Sequence, residues 1–141
     1  MSAEERRRAL GRGRGGERLA AWWLRLKGYR ILARGVRSPQ GEIDLVARRG
    51  RVLALVEVKA RPSLAEAGAA VTPRQRGRIE RAAAVFLQRR PELAGLDVRF
   101  DAVLIAPRRP PRHVADAWRS EGLGAKPWAA TTRPRARENR P

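Results

Sequence analysis

Residues 41–60, GEIDLVARRGRVLALVEVKA, decide the fold. Two apolar stretches, Ile43 to Arg48 and Arg51 to Ala60, flank Arg49 and Gly50, whose turn chemistry predicts a hairpin. The second stretch is apolar almost without a break from Val52 to Val58, the pattern of a central strand covered on both faces. Asp44, Glu57 and Lys59 interrupt these strands with charge. Burying an unpaired charge is costly, so such side chains need partners, and a metal ion is one answer. Strand alternation sets Glu42 and Asp44 on one face and Glu57 and Lys59 on one face of the neighbouring strand, where hairpin pairing brings the two sets together. Two carboxylates suit Mg²⁺ or Mn²⁺, hard ions that take oxygen ligands and keep several waters, and the Val58 backbone carbonyl is a further candidate ligand. Lys59 beside them would orient or deprotonate an attacking water and neutralise charge on a pentavalent phosphorus. A structural ion-pair network in a binding protein is the alternative these residues leave open.

The identity of Lys59 carries weight because the only lysines are Lys27, Lys59 and Lys126, in a chain otherwise committed to Arg. A guanidinium does not give up its proton usefully, whereas a buried ammonium can.

Working upstream, Tyr29 to Arg34 reads as a further strand. From Glu17 to Lys27, Leu19, Trp22, Trp23 and Leu26 recur at helical spacing, and Gly28 closes the helix. This stripe is expected to be buried, so Trp22 and Trp23 read as core rather than as platforms for bases. Glu17 shares the other side of the helix with Ala20, Ala21 and Leu24, either as an acid favoured at a helix start or as part of a second packed face. Residues 1–15 read as a flexible basic arm. Gly11, Gly13 and Gly16 match G-x-G-x-x-G but follow no predicted strand, which removes the dinucleotide reading.

Downstream, Thr72 offers an N-cap and Pro73 a first helical position for a helix to about Arg90, ended by Pro91. Its buried stripe is Ile79, Ala82, Ala83, Phe86 and Leu87, which Gln75 continues toward the N-terminus. Asp97 to Ala106 is the last predicted strand, with Asp101 and Arg99 on one face as an ion pair or strand-end cap. HVADAW at 113–118 reads as a short amphipathic piece, His113 as structural, and residues 120–141 as a disordered basic tail rich in Pro and Arg. The order of elements is mixed α/β, in one domain over residues 16–119.

Lys and Arg number 32 against 14 Asp and Glu, a formal net charge of +18. Such an excess favours a polyanionic partner, because phosphate contacts release condensed counterions, and nucleic acid fits better than a membrane. An alkaline surface inherited from an Ala- and Arg-biased composition is the plainer alternative. No apolar run approaches a spanning helix and no signal-type segment opens the chain. With no cysteine and a single histidine, thiolate chemistry, disulfides and multi-histidine zinc sites are excluded, and the cytoplasm is the expected compartment. The aromatic content of 5% disfavours an RNA-stacking surface and leaves DNA as the preferred partner.

Asp44 followed by Glu57-Val58-Lys59 resembles the D…(D/E)-x-K signature of the restriction-endonuclease-like nuclease superfamily. Gly16-Glu17, KGY at 27–29, GEIDL at 41–45, VEVKAR at 56–61, the helix from Thr72, RFD at 99–101 and HVADAW together are similar to the YraN-like family of small bacterial proteins, itself similar to archaeal Holliday-junction resolvases. The resemblance implies a restriction-endonuclease-like core with a four-stranded mixed sheet flanked by helices. It also implies Mg²⁺- or Mn²⁺-dependent phosphodiester hydrolysis in DNA, on branched or flapped structures among others, and a homodimer. Asp44 and Glu57 would be metal ligands, Lys59 the third essential group and Glu17 a fourth member. A binding module that keeps the fold without catalysis is the alternative. Two positions depart from the family pattern: Gly35 stands where Asn is usual, and Gln75 where the second helix usually carries Lys; other branches of the nuclease superfamily also have Gln there, so Gln75 stays a candidate site residue that would reach the metal water or a phosphate.

Overall fold

The computed structural model describes residues 3–120, with side chains from residue 15 onward. In chain order its elements are α1 (Ala3–Leu26), β1 (Arg30–Ser38), β2 (Gly41–Arg49), β3 (Val52–Ala60), α2 (Leu64–Ala69), α3 (Pro73–Gln88), a 3₁₀ turn at Pro91–Leu93, β4 (Asp97–Ile105) and β5 (Arg112–Trp118). The five strands form one sheet in the order β1-β2-β3-β4-β5. Only β3 and β4 run parallel, joined by a crossover through α2 and α3, and the other neighbours are antiparallel.

The sheet is thus mixed, as expected, but it has five strands rather than four. The added member is HVADAW, which pairs with β4 from Leu104↔Arg112 to Phe100↔Trp118. A bulge hides its strand character in the sequence: the register shifts between Phe100 and Ala102, and Asp116 takes a positive φ of 55°.

Helices cover both faces. Ile79, Ala82, Ala83 and Phe86 of α3 and Ala67 of α2 pack with Leu53, Leu55, Phe100 and Leu104 on one side. Ala20, Ala21 and Leu24 of α1 pack with Leu45, Ala47, Ala54, Val56 and Val103 on the other. This explains the apolar run of β3, whose alternate residues serve different cores. Thr72 caps α3 by accepting from Gln75 N, with Pro73 at its start, as the sequence indicates. The short α2, unread in the sequence, is capped by Ser63.

α1 runs from Ala3 to Leu26, and AEERRRAL at 3–10 consists of strong helix formers. One expectation about this helix is overturned. The Trp-containing stripe is not the packed face: Leu19, Trp22 and Leu26 are 42%, 59% and 73% exposed, while Ala20, Ala21 and Leu24 are fully buried. Small residues win because they let the helix axis approach the sheet. At Gly16 an added Cβ would already touch Ile105, Val58 and Ala60 at 3.6–3.7 Å. Among the described residues no helix is long and apolar enough to cross a membrane.

β1 and β2 turn over together at one point. Ile43 packs on the α3 side and Leu45 on the α1 side, although strict alternation would give them one face. Gly35 lies opposite Asp44, between the pairs Arg34↔Leu45 and Val36↔Ile43, with a φ of +56° and open space around its missing Cβ. Backbone handedness, not room, is the constraint there, and Asn is the non-glycine residue that best tolerates it. Gly35→Asn is therefore expected to fold with a loss under about 1 kcal/mol, and Gly35→Val to lose roughly 2 kcal/mol, measured by urea unfolding; equal losses would contradict this reading.

Candidate metal and catalytic site

The β2–β3 ladder runs from Arg49↔Val52 to Leu45↔Val56. Continuing that register would set Asp44 opposite Glu57 and Glu42 opposite Lys59. At this strand end the Asp44 side chain enters the backbone pairing, its Oδ2 accepting from Val58 N at 2.8 Å. The bond fixes Asp44 within hydrogen-bonding reach of Glu57. Lys59 Nζ then closes on Glu57 Oε2 at 2.9 Å, with both side chains largely buried.

The electrostatics are those of a site short of positive charge. Burial first, and the Asp44 charge second, push Glu57 up to about 7 against the pull of Lys59. Burial also raises Asp44, opposed by the Val58 N–H and by its contact with Glu57. Glu17 reaches the same place from α1: burial, then the charges of Asp44 and Glu42, raise its carboxyl, and it comes within hydrogen-bonding reach of Asp44. Asp44 is the hub, with Glu57 and Lys59 on one side and Glu17 on the other.

The expected site residues are thus brought together in part. Asp44, Glu57 and Lys59 meet as anticipated. Glu17 joins through Asp44. Glu42 contributes charge but pairs outward with Arg37 at 3.6 Å. Among the described residues, no group of three or more His, Asp or Glu converges closely enough to cage a metal. The tight donor set is the Asp44–Glu57 pair, and a two-carboxylate set suits Mg²⁺, which keeps waters on its remaining positions. Gln75, in the first turn of α3, has a buried Oε1 without a hydrogen-bond partner. That turn reaches the sheet because α3 lies against the start of β2, where a Cβ at Gly41 would fall 2.1 Å from the Arg78 carbonyl oxygen. Sequence reasoning missed Arg34, whose charge acts on Glu17; its nearness follows from the shared turn at Gly35 and Asp44, which alternation does not reveal.

Asp101 and His113 lie apart, in a network of their own. The fully buried Asp101 accepts from Arg99 Nε and Nη2 at 2.8 Å each and from Asp116 N at 2.9 Å, and it pairs with His113 Nε2 at 2.7 Å. Burial would raise this carboxyl, but the His113, Arg99 and Asp116 bonds hold it below its ordinary value. Arg99 Nη2 also reaches the Tyr29 hydroxyl at 2.6 Å, and His113 Nδ1 meets Lys27 Nζ. The network ties α1 to β4 and β5. It bears out the ion-pair reading of Asp101 and Arg99.

Residues 16–105 match the model of the Uncharacterised protein family UPF0102. The chain belongs to this family. A UPF0102 protein of Paramagnetospirillum magneticum is 62% identical over 112 residues, covering 77% of this chain and 87% of the relative. Another, from Parvibaculum lavamentivorans, is 63% identical over 103 residues, 73% and 77% of the two chains. A third, from a Chelativorans species, is 53% identical over 121 residues, 84% and 98%. The UPF0102 match begins at Gly16, beside Glu17, and ends with β4, so it spans every residue of the candidate site.

A carboxyl raised in the folded state holds a proton that the unfolded chain has released. For Glu57 the folded protein therefore loses stability as pH rises from the ordinary carboxylate range, near 4.3, through about 7. With chelator present, thermal unfolding should show higher stability at pH 5.5 than at pH 8. Glu57→Gln should remove most of that slope and gain on the order of 1–3 kcal/mol at pH 8; a parallel pH profile in the variant would refute the assignment.

Proposed function

We propose that this chain is a divalent-cation-dependent nuclease that hydrolyses phosphodiester bonds in DNA, on a restriction-endonuclease-like core. The observation that carries the reading is Asp44, Glu57 and Lys59 held together at the parting of β2 and β3, two carboxylates whose affinity for protons is raised chiefly by burial, beside one ammonium. The order acid, then acid-x-lysine, supports it, as does the net charge of +18, which suits a polyanionic substrate. Asp44 and Glu57 would hold Mg²⁺ or Mn²⁺, with the Val58 carbonyl as a further ligand. The bound cation would supply Lewis-acid polarisation of a phosphate and a more acidic water.

The protein's own groups have separable roles. Asp44, oriented by the Val58 N–H, is the fixed carboxylate of the pair. Glu57, with its carboxyl near 7 in the metal-free protein, is the member of the pair that would give up its proton to take the cation. Lys59, anchored on Glu57 Oε2, presents its ammonium to a phosphate oxygen or to the attacking water. Glu17 adds a third carboxylate through Asp44, and the unpartnered Gln75 Oε1, buried in the first turn of α3, is an acceptor available to a water. Arg34, Arg74 and Arg78 are exposed on β1 and the first turns of α3, where they can hold the phosphates that flank a cut.

The second reading is a nucleic-acid-binding module of the same fold without turnover; the Lys59–Glu57 ion pair favours it to the extent that a structural network would show the same contact. Incubation with Mg²⁺ or Mn²⁺ and single-stranded, duplex, flapped and four-way DNA separates the two. Cleavage should occur and fall by at least about 100-fold in Asp44→Ala and Lys59→Ala. Absence of cleavage, or cleavage unchanged in both variants, overturns the nuclease reading, and salt-sensitive binding alone would then establish the second.

A further inference from the structure

We propose that the outer face of α1 is a stacking platform for unpaired bases, so that the chain engages DNA carrying a single-stranded segment. This rests on the reading that nucleic acid is the substrate. The packed side of α1 is completed by Gly16, Ala20, Ala21 and Leu24, which leaves Trp22 no structural task, and the residue is 59% exposed. Burying an indole contributes strongly, so a solvated one is a surface in want of a partner.

The setting of Trp22 selects that partner. Leu19 and Leu26, three residues before it and four after, broaden the apolar surface and are also exposed. Arg18 and Arg25, four before and three after, are exposed on the same side of the helix. An aromatic face between two guanidinium groups matches a nucleotide strand, whose bases stack on the ring while flanking phosphates meet the cations. From Glu17 to Lys27 the helix carries no acid after Glu17 itself. Two copies of this chain meeting at α1 would set Arg18 and Arg25 against their own counterparts, with +18 on each molecule, so charge argues against self-association here. Among the described residues, an anionic membrane would be offered three exposed large apolar side chains, a narrow face for an interfacial helix.

Position adds a further reason. Trp22 stands five residues beyond Glu17, about 7.5 Å along the axis, on the helix that delivers Glu17 to Asp44. A strand stacked on Trp22 is therefore held within a few nucleotides of the candidate site. Duplex DNA keeps its bases stacked internally and gains nothing from the indole, so the platform discriminates for unpaired segments.

The test is binding without cleavage. Full-length protein in EDTA is titrated with a labelled oligothymidylate and with a blunt duplex of equal length, followed by fluorescence anisotropy across a salt series. Trp22→Ala should weaken single-strand binding by about 10-fold and leave duplex binding within about 2-fold. Its salt slope should be unchanged, because no phosphate contact is lost, and Trp22→Phe should restore most of the affinity. Arg18→Ala and Arg25→Ala should each reduce the salt slope. Unaltered melting confirms that Trp22→Ala is folded. Equal weakening toward both DNAs, no weakening, or a Trp22→Ala variant that instead loses self-association in sedimentation or loses adsorption to anionic vesicles would overturn the platform. Because no metal is present, failure here leaves the cleavage reading standing, and failure of cleavage leaves this one.

Discussion

Asp44 and Glu57 stand side by side in a part of the sheet where burial raises both carboxyls, and Glu57 cannot ionise freely beside the charge of Asp44. Lys59 offsets part of that cost, and the Val58 N–H offsets another part. What is left over appears as raised carboxyl affinities for protons at Asp44, Glu57 and Glu17. An interior that tolerates such a deficit is unfavourable for folding alone, since an apolar replacement of similar volume would pack without it. The arrangement makes physical sense as a receptor for positive charge.

The rest of the fold can be seen as holding that deficit in place. β3, covered by helices on both faces, supplies the rigid strand from which Glu57 and Lys59 project. β2 parts from it at Asp44, and β1 follows through the left-handed backbone at Gly35. The small residues of α1 allow a close approach that brings Glu17 to Asp44. At the far end of that helix, the Asp101 network fastens Lys27 and Tyr29 to β4 and β5. The two charged clusters differ in kind: Asp101 has its negative charge fully matched by donors, whereas the Asp44–Glu57 pair does not.

Much of this was legible in the sequence because its signals were local. The hairpin announced itself by turn residues between apolar runs, α3 by Thr72, Pro73 and Pro91, and the site by charges set inside strands. What escaped depended on tertiary fit. The face of α1 was misread because hydrophobic periodicity favoured the Trp stripe, while the sheet selected the side with the smallest residues. β5 was missed because its bulge at Asp116 breaks the alternation that marks a strand, and α2 because six residues carry too little periodicity. Gly35, where the resemblance led one to expect Asn, is no loss once its φ is known: both residues suit a left-handed position. The aromatic that reads as core in one dimension is an exposed surface in three.

Uptake of a divalent cation by the Asp44–Glu57 pair is the central question for this site. Calorimetric titration of Mn²⁺ into the full-length protein near pH 7, in two buffers of different ionisation enthalpy, measures this directly. The predicted result is saturable binding that releases up to about one proton per ion, because the cation replaces the proton held between the carboxylates, with both binding and release lost in Asp44→Asn. Absence of binding, or binding without proton release that survives Asp44→Asn, would contradict the account.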